Sequence, residues 1–389
     1  MEDGLFSVDS PKEKAHNKMI FFIIIIVVLL IVSIVFAILY IVEVNKNDDD
    51  DDDIKPKPKK ELTLWNECNA KKKLVEFVEK VTNETSKEDF IAKEDRIAIF
   101  DLDGTLFQET DLVYNDYKIY KYRVLDDPDY KDKATPFQKE VEKEIEQFER
   151  GESVEGLDLR HARANAEVFA EMSLEDYDKY VKDFLSKPAD GYNNMTRGEA
   201  FYKPMLEVID YLQDNDFLIY ICSGTDRFTV RAAIDGKINI PKGNVIGTES
   251  LVIGNKQGNT SYFNYTYHQD EYLMYKGEFV VKNLYMYKVY HIIREIGKIP
   301  ILSFGNSNGD SSMANFVMSR KQHPGLAFML LCDDTIRENG NITKLAETLI
   351  SLFNHPDKIA EMGMNARKNV LRFNIDVVAE KWKRLFDGL

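Results

Sequence analysis

The sequence predicts an α/β protein: a doubly wound parallel sheet with an inserted α-helical cap, preceded by one transmembrane helix. Three observations predict it. Short apolar runs of buried-strand type alternate with helically patterned segments across residues 62–342. The runs end in the polar, glycine-containing stretches DLDGT, SGTD and GNSNGD, and in such sheets ligands bind at the carboxyl ends of the strands. Residues 19–42 contain no charged side chain at all.

The elements follow in order. Residues 1–18 form an N-terminal tail. The 24 residues of 19–42 reach about 36 Å as a helix, enough to cross a bilayer with some tilt. No small-residue cleavage pattern follows, so the span reads as an uncleaved signal anchor in a single-pass membrane protein. Lysines flank it on both sides, and their plain count slightly favours a cytoplasmic C-terminal side. Five N-x-[ST] sequons follow the span, at Asn83, Asn194, Asn259, Asn264 and Asn341. They favour an extracellular or lumenal catalytic domain, as in a glycoprotein. Residues 43–61 hold six consecutive aspartates and a PKPKK end, a solvated stalk that cannot bury a core.

The folded part begins near Leu62. LVEFVEKV is an amphipathic helix and IAIF a buried strand. Residues 136–185 are charge-rich with helical spacing, inside the interval of about 110–200 that separates the DLDGT and SGTD ends. FYKPMLEVIDYLQDND is a helix with proline near its start, FLIYICSG a second strand, and DRFTVRAAI the next helix. Residues 245–281 alternate with turn signals and read as hairpins. KVYHIIREIG is a helix ending at glycine. IPILSFGNS and LAFMLLC complete the strands.

With 44% hydrophobic residues the chain has material for a core, and a net charge of −15 without a Lys/Arg stripe argues against nucleic acid as a partner. Cys68, Cys222 and Cys332 are too few and too scattered for a disulfide framework or a zinc site. Cys222 and Cys332 lie in apolar runs and read as buried, inert thiols.

Asp101 and Asp103 stand two residues apart at the tip of a buried strand, and like charges there need a cation between them. Asp101-Leu-Asp103-Gly-Thr105, Ser223-Gly224-Thr, Lys288 and Gly305-Asn306-Ser-Asn-Gly-Asp310 resemble, in order, the four motifs of the haloacid-dehalogenase-type hydrolases. The resemblance covers roughly residues 90–335. It implies a Mg²⁺-dependent phosphatase with Asp101 as nucleophile and Asp103 as acid and base. Mg²⁺ would be bound by the Asp101 and Asp310 carboxylates and the Asp103 main-chain carbonyl. Thr105, Ser223, Gly224 and Asn306 would hold substrate, Thr105 would also orient Asp103, and Lys288 would supply a second cation.

Lys282 competes with Lys288 for the lysine role. The motif usually has aspartate where this chain has Asn306, which lowers the negative charge at the metal. A second acid at Asp103 disfavours dehalogenase and transport-ATPase chemistry. It leaves a phosphatase, with a phosphomutase or a catalytically weak surface protein as alternatives.

The long interval between Asp101 and Ser223 matches the phosphoserine-phosphatase-like branch, whose helical cap admits a small phosphorylated metabolite. Tyr114, Tyr117, Tyr120 and Tyr122 at the cap start either pack as cap core or face a quaternary ammonium group. His161, Arg160 and Arg163 are further candidates for substrate contact. Residues 343–389 are similar to the C-terminal helices of retaining glycosyltransferases of the two-Rossmann type, but the sugar-nucleotide site of those enzymes is absent.

Overall fold

The computed structural model describes residues 61–109, 114–189, 192, 194–323 and 325–331. IAIF forms β1 (Ile97–Phe100), buried at every position, as a strand covered on both faces must be. It pairs in parallel with β2 (Leu218–Asp226) on one side and β5 (Leu302–Gly305) on the other. Beyond β2 lies β3 (Val245–Gly254), and beyond β5 lies β6 (Leu326–Met329), both parallel. An antiparallel edge strand, β4 (Leu273–Val281), closes the order β4-β3-β2-β1-β5-β6. The chain leaves β1 toward β2 and β3, then returns to build β5 and β6. The order therefore reverses between β1 and β5, the place where such sheets open a ligand crevice.

The period of two sorts the strand residues onto two faces. Ala98, Phe100, Ile219, Ile221, Leu302 and Phe304 face one layer, with Leu74 and Val78 of α1 (Asn69–Thr82) packed among them. Ile99, Cys222 and Ile246 face the other. Phe100, Phe304 and Phe328 stack across three neighbouring strands, with centroids 4.4 and 5.0 Å apart.

The cap follows β1. It contains α2 (Asn115–Lys121), α3 (Pro136–Glu149), α4 (Leu157–Val168) and α5 (Leu174–Leu185). Thr135 and Gln138 form a capping box at the start of α3, which satisfies donors that a helix start leaves free. The cap owns a core built on Tyr117, Tyr120, Val141, Tyr177 and Phe184. Its two crossings to the sheet run side by side: Gln108 N donates to Ala200 O at 2.8 Å, and Tyr202 N to Leu106 O at 2.9 Å. The rings of Phe107 and Phe201 meet edge-to-face between them.

The chain re-enters the sheet through α6 (Lys203–Gln213) and passes from β2 into α7 (Arg227–Ile234). α6 adds Val208 and Leu212 to the first layer. The predicted hairpin is β3 and β4, but the first half of β3 also pairs in parallel with β2. β4 in turn holds the cap, since Tyr275 N donates to Met172 O and Glu171 N to Tyr275 O.

α8 (Met286–Ile296) ends at Gly297 in the left-handed conformation, as the glycine signal predicts. It packs with α9 (Ser311–Met318) on the second face through Ile292, Met313 and Val317. Among the described residues no helix is long and apolar enough to cross a membrane. The predicted span 19–42, the stalk, Cys332, the end of the 62–342 core and the tail 343–389 lie outside the described residues.

Candidate active site

Three strand ends converge at the reversal point. β1 delivers Asp101, whose N–H donates to Phe304 O at 2.8 Å and so fixes it beside β5. Gly104 follows with φ +73°, and a Cβ there would fall 1.8 Å from Asn306 Nδ2. Only glycine fits both the conformation and the space. β5 ends at Gly305, where a Cβ would meet the Asp310 side chain at 2.6 Å. The backbone thus lets Asp310 lie against the strand.

Lys288 is fully buried, and its ammonium has three acceptors: Asp101 Oδ1 at 2.6 Å, Asp310 Oδ1 at 2.5 Å and Cys222 O at 2.7 Å. Each of its three protons has a partner. Burial disfavours the ammonium, but the Asp101 and Asp310 carboxylates outweigh it and raise its pKa. Asp310 Oδ2 accepts from Asn306 N, Ser307 N and Ser307 Oγ at 3.0–3.1 Å, so both its oxygens are fixed.

One ammonium serves two carboxylates. Burial, and next the charge of Asp310, hold the Asp101 pKa well above the usual carboxylate range despite Lys288. Lys282 goes elsewhere, 3.5 Å from Asp116 Oδ2.

Asp103 is the other buried acid, raised to about 7 by burial and by the charge of Asp116. Its Oδ2 accepts from Thr225 Oγ1 at 2.7 Å, and its Oδ1 from Asn115 N at 3.4 Å, in the first turn of α2. The predicted partner, Thr105, does not hold it. The Thr105 hydroxyl is buried without a hydrogen-bond partner among the described residues. Thr225 replaces it because the S-G-T turn lies on β2, directly beside β1, and aims its third residue at Asp103. Ser223 is fully buried, and its Oγ accepts from Thr225 N at 3.1 Å. It does not cap α7; Asp226 does, accepting from Phe228 N and Thr229 N. Gly224 lies against Leu284, which a Cβ there would strike at 2.7 Å.

Asn306 Nδ2 donates to Glu109 Oε1 at 3.0 Å, while its Oδ1 is buried with no partner among the described residues. Among the described residues no three His, Cys, Asp or Glu side chains are grouped to hold a metal. The set here has two such carboxylates, Asp101 and Asp310, and Asn306, which carries the orphaned amide oxygen, donates its main-chain N–H to Asp310 at 3.1 Å. Uncompensated negative charge and a free oxygen suit a hard divalent cation.

Apart from Tyr114, whose phenol pKa is held well above its usual value by burial and then by the Glu109, Asp158, Asp103 and Asp101 charges, the candidates in the cap are not brought to this cluster. His161 is fully buried between the rings of Tyr117 and Tyr120, at 4.3 and 5.2 Å. Arg160 pairs with Glu144 at 2.8 Å, and Arg163 is exposed. Tyr117 and Tyr120 are cap core, with Tyr114 and Tyr122 packed against it, so the core alternative describes these tyrosines. Cys222 is a buried thiol pushed up to about 12 by burial, unreactive as its apolar run predicts.

Asn283 went unseen in the sequence. Fully buried, it donates to Ser223 O at 3.0 Å and meets His291 Nδ1 at 2.8 Å, tying β2 to α8. A lone asparagine in VVKNLY carries no signal, since its partner at Ser223 lies 60 residues away.

No family model and no curated protein matches the chain. Among solved structures it is similar to a protein of unknown function from Anaerococcus prevotii DSM 20548, at 13% identity over 71% of this chain and 88% of that one, with a TM-score of 0.43. It is also similar to cytosolic 5′-nucleotidase IIIB bound to cytidine, at 13% identity over 72% and 83%, with a TM-score of 0.42. Phosphoserine phosphatase in its apo form follows at 12% identity over 66% and 98%, with a TM-score of 0.32.

Proposed function

We propose that the chain is a phosphatase of the haloacid-dehalogenase type, hydrolysing a small organic phosphomonoester. The observation that carries this reading is the junction of Asp101, Lys288 and Asp310, whose pairs are separated by 187 and 22 residues yet meet at 2.6 and 2.5 Å. The DLDGT, Lys288 and GNSNGD motifs of the sequence single out the same three residues as one set.

In the first step Asp101 attacks phosphorus through a carboxylate oxygen. A P–O bond forms to Asp101, the bond to the leaving oxygen breaks, and Asp103 gives that oxygen its proton. In the second step Asp103, now a carboxylate, takes a proton from water, which attacks the aspartyl-phosphate and frees Asp101 and phosphate. A group near pKa 7 serves both directions at neutral pH. Thr225 holds the carboxylate in place for both. Lys288 bonds to both Asp101 and Cys222 O, which fixes the Asp101 carboxyl group and opposes the burial that raises its pKa. Mg²⁺ would be held by Asp101, Asp310 and the Asp103 carbonyl, with Asn306 Oδ1 beside it, and would neutralise charge on the phosphoryl oxygens. The cap would exclude water over the substrate.

The apolar span 19–42 would anchor this enzyme in a membrane, with the catalytic part on the extracellular or lumenal side. Loss of apparent mass on glycosidase treatment in the native host tests that placement. For the activity, full chain is incubated with p-nitrophenyl phosphate and Mg²⁺. Release of inorganic phosphate that Asp101→Asn abolishes supports the reading. Equal rates for both proteins refute it, as does sugar-phosphate isomerisation without phosphate release.

A further inference from the structure

The turn between β3 and β4 carries a feature that phosphoryl chemistry does not use. A cavity of about 390 Å³ opens there, walled by Tyr262, Tyr265 and Tyr267 with Val252, Gly254 and Leu273. All three phenol hydroxyls are already engaged. Tyr262 donates to Val252 O, Tyr265 to Glu271 Oε1 at 2.7 Å, and Tyr267 to Glu271 O at 2.7 Å. The walls therefore offer ring surface rather than free hydroxyls.

Behind them sits a carboxylate that has no ion-pair partner among the described residues. Glu271 is 8% exposed, and its Oε2 has no hydrogen-bond partner among the described residues. That oxygen lies against Gly254 on the cavity wall, where a Cβ would fall 2.6 Å from it, 3.4 Å from Tyr265 Cε1 and 3.5 Å from Tyr267 Cδ2. The nearby lysines are spent: Lys256 pairs with Asp270, and Lys276 with Glu278.

Aromatic faces backed by negative charge attract cations. Hydrogen bonding from Tyr265 to a carboxylate also makes its ring more electron-rich. A primary ammonium would need acceptors within reach, and a sugar would need donors and acceptors. The cavity's polar groups are engaged elsewhere: the hydroxyls as above, and the lining Gln257, which accepts from Gly254 N at 3.2 Å and donates to Thr260 O at 3.0 Å, while Glu271 Oε2 is covered. A quaternary ammonium needs none, being weakly hydrated and without N–H groups.

We propose that this cavity is a second site, apart from the Asp101 cluster, that binds a small soluble quaternary ammonium compound of the choline class. The test is calorimetric titration of the full chain with choline. Its neutral carbon isostere, 3,3-dimethylbutan-1-ol, and a short-chain phosphatidylcholine below its micelle concentration serve as comparison ligands.

Saturable 1:1 binding of choline is expected, with the isostere at least tenfold weaker. Tyr265→Leu and Glu271→Gln should each weaken choline by about tenfold, and Asp101→Asn should leave it unchanged. The half-exposed Tyr262→Leu serves if Glu271→Gln does not fold. Absence of binding at 50 mM, equal binding of the isostere, binding of the phosphatidylcholine alone, or loss of choline binding in Asp101→Asn each overturns the proposal.

Discussion

His161 makes the cap acid-sensitive, by an amount that can be worked out. Burial pushes its pKa from 6.5 to about 4, although the Asp116 and Asp158 carboxylates pull the other way. The depression is 2.5 units, and each unit is worth about 1.4 kcal/mol. Unfolded chain binds the proton at 6.5 and folded chain only near 4, so the unfolded state carries more protons between those values. Stability is therefore present above pH 6.5 and lost as pH falls through 4, by about 3.5 kcal/mol in all, of which about 3 is lost by pH 4.

Asp103, Asp226 and Glu142, raised to about 7, 6 and 6, act in the opposite sense. They are common to both proteins in a comparison with His161→Phe, which keeps a ring between Tyr117 and Tyr120 but cannot titrate. Any packing cost of the phenyl ring is the same at every pH and cancels. Urea midpoints at pH 7, 5.5 and 4 measure the difference. Wild type should lose about 3 kcal/mol more than His161→Phe across that range. Parallel pH profiles for the two proteins would refute the reasoning.

Four further expectations concern single positions. Thr105→Val should be neutral or raise stability by about 1 kcal/mol in urea denaturation, because it deletes a buried hydroxyl that has no partner. Thr225→Val removes a hydrogen bond to a charged group, worth about 1.5–3 kcal/mol. It should lower turnover of an alkyl phosphate at least tenfold, read as phosphate release at pH 7. Tyr285 holds φ +52°, ψ −123° in the turn before α8, where Tyr287 N donates to Leu284 O at 3.1 Å. That geometry suits glycine, so Tyr285→Gly should raise stability by about 1 kcal/mol, measured by urea midpoint. Gly104→Ala would drive a methyl group into Asn306 at positive φ. It should cost at least about 2 kcal/mol in the same assay and abolish phosphate release.

The sheet was legible in the sequence because its signals are local. IAIF, FLIYICSG and IPILSFGNS are continuous apolar runs, and each became a strand of the central layer. α8 was legible down to its terminal Gly297. The site was legible as a set of residue types, and its partners were not.

Lys288 and Lys282 look alike in the sequence. What separates them is that the first turn of α8 points Lys288 at Asp101, while Lys282 meets Asp116 in the cap. Thr105 was the expected support for Asp103 because it is close along the chain. Thr225 won because β2 is close in space, 122 residues on. The tyrosines at the cap start could be lining or core until α3 and α4 supplied the surfaces that cover them.

The paired crossings at Leu106–Gln108 and Ala200–Tyr202 give the cap one short hinge, and β4 latches it through Met172, Glu171 and Tyr275. Two hydrogen-bonded segments resist twisting and shearing, which leaves a swing about their common axis as the motion open to the cap when its bonds to β4 part. The hinge begins only three residues beyond Asp103, and the cap carries Asn115, whose N–H touches that carboxyl group. A swing of the cap must therefore alter the surroundings of Asp103. Closing over a substrate and readying the proton would then be a single mechanical event.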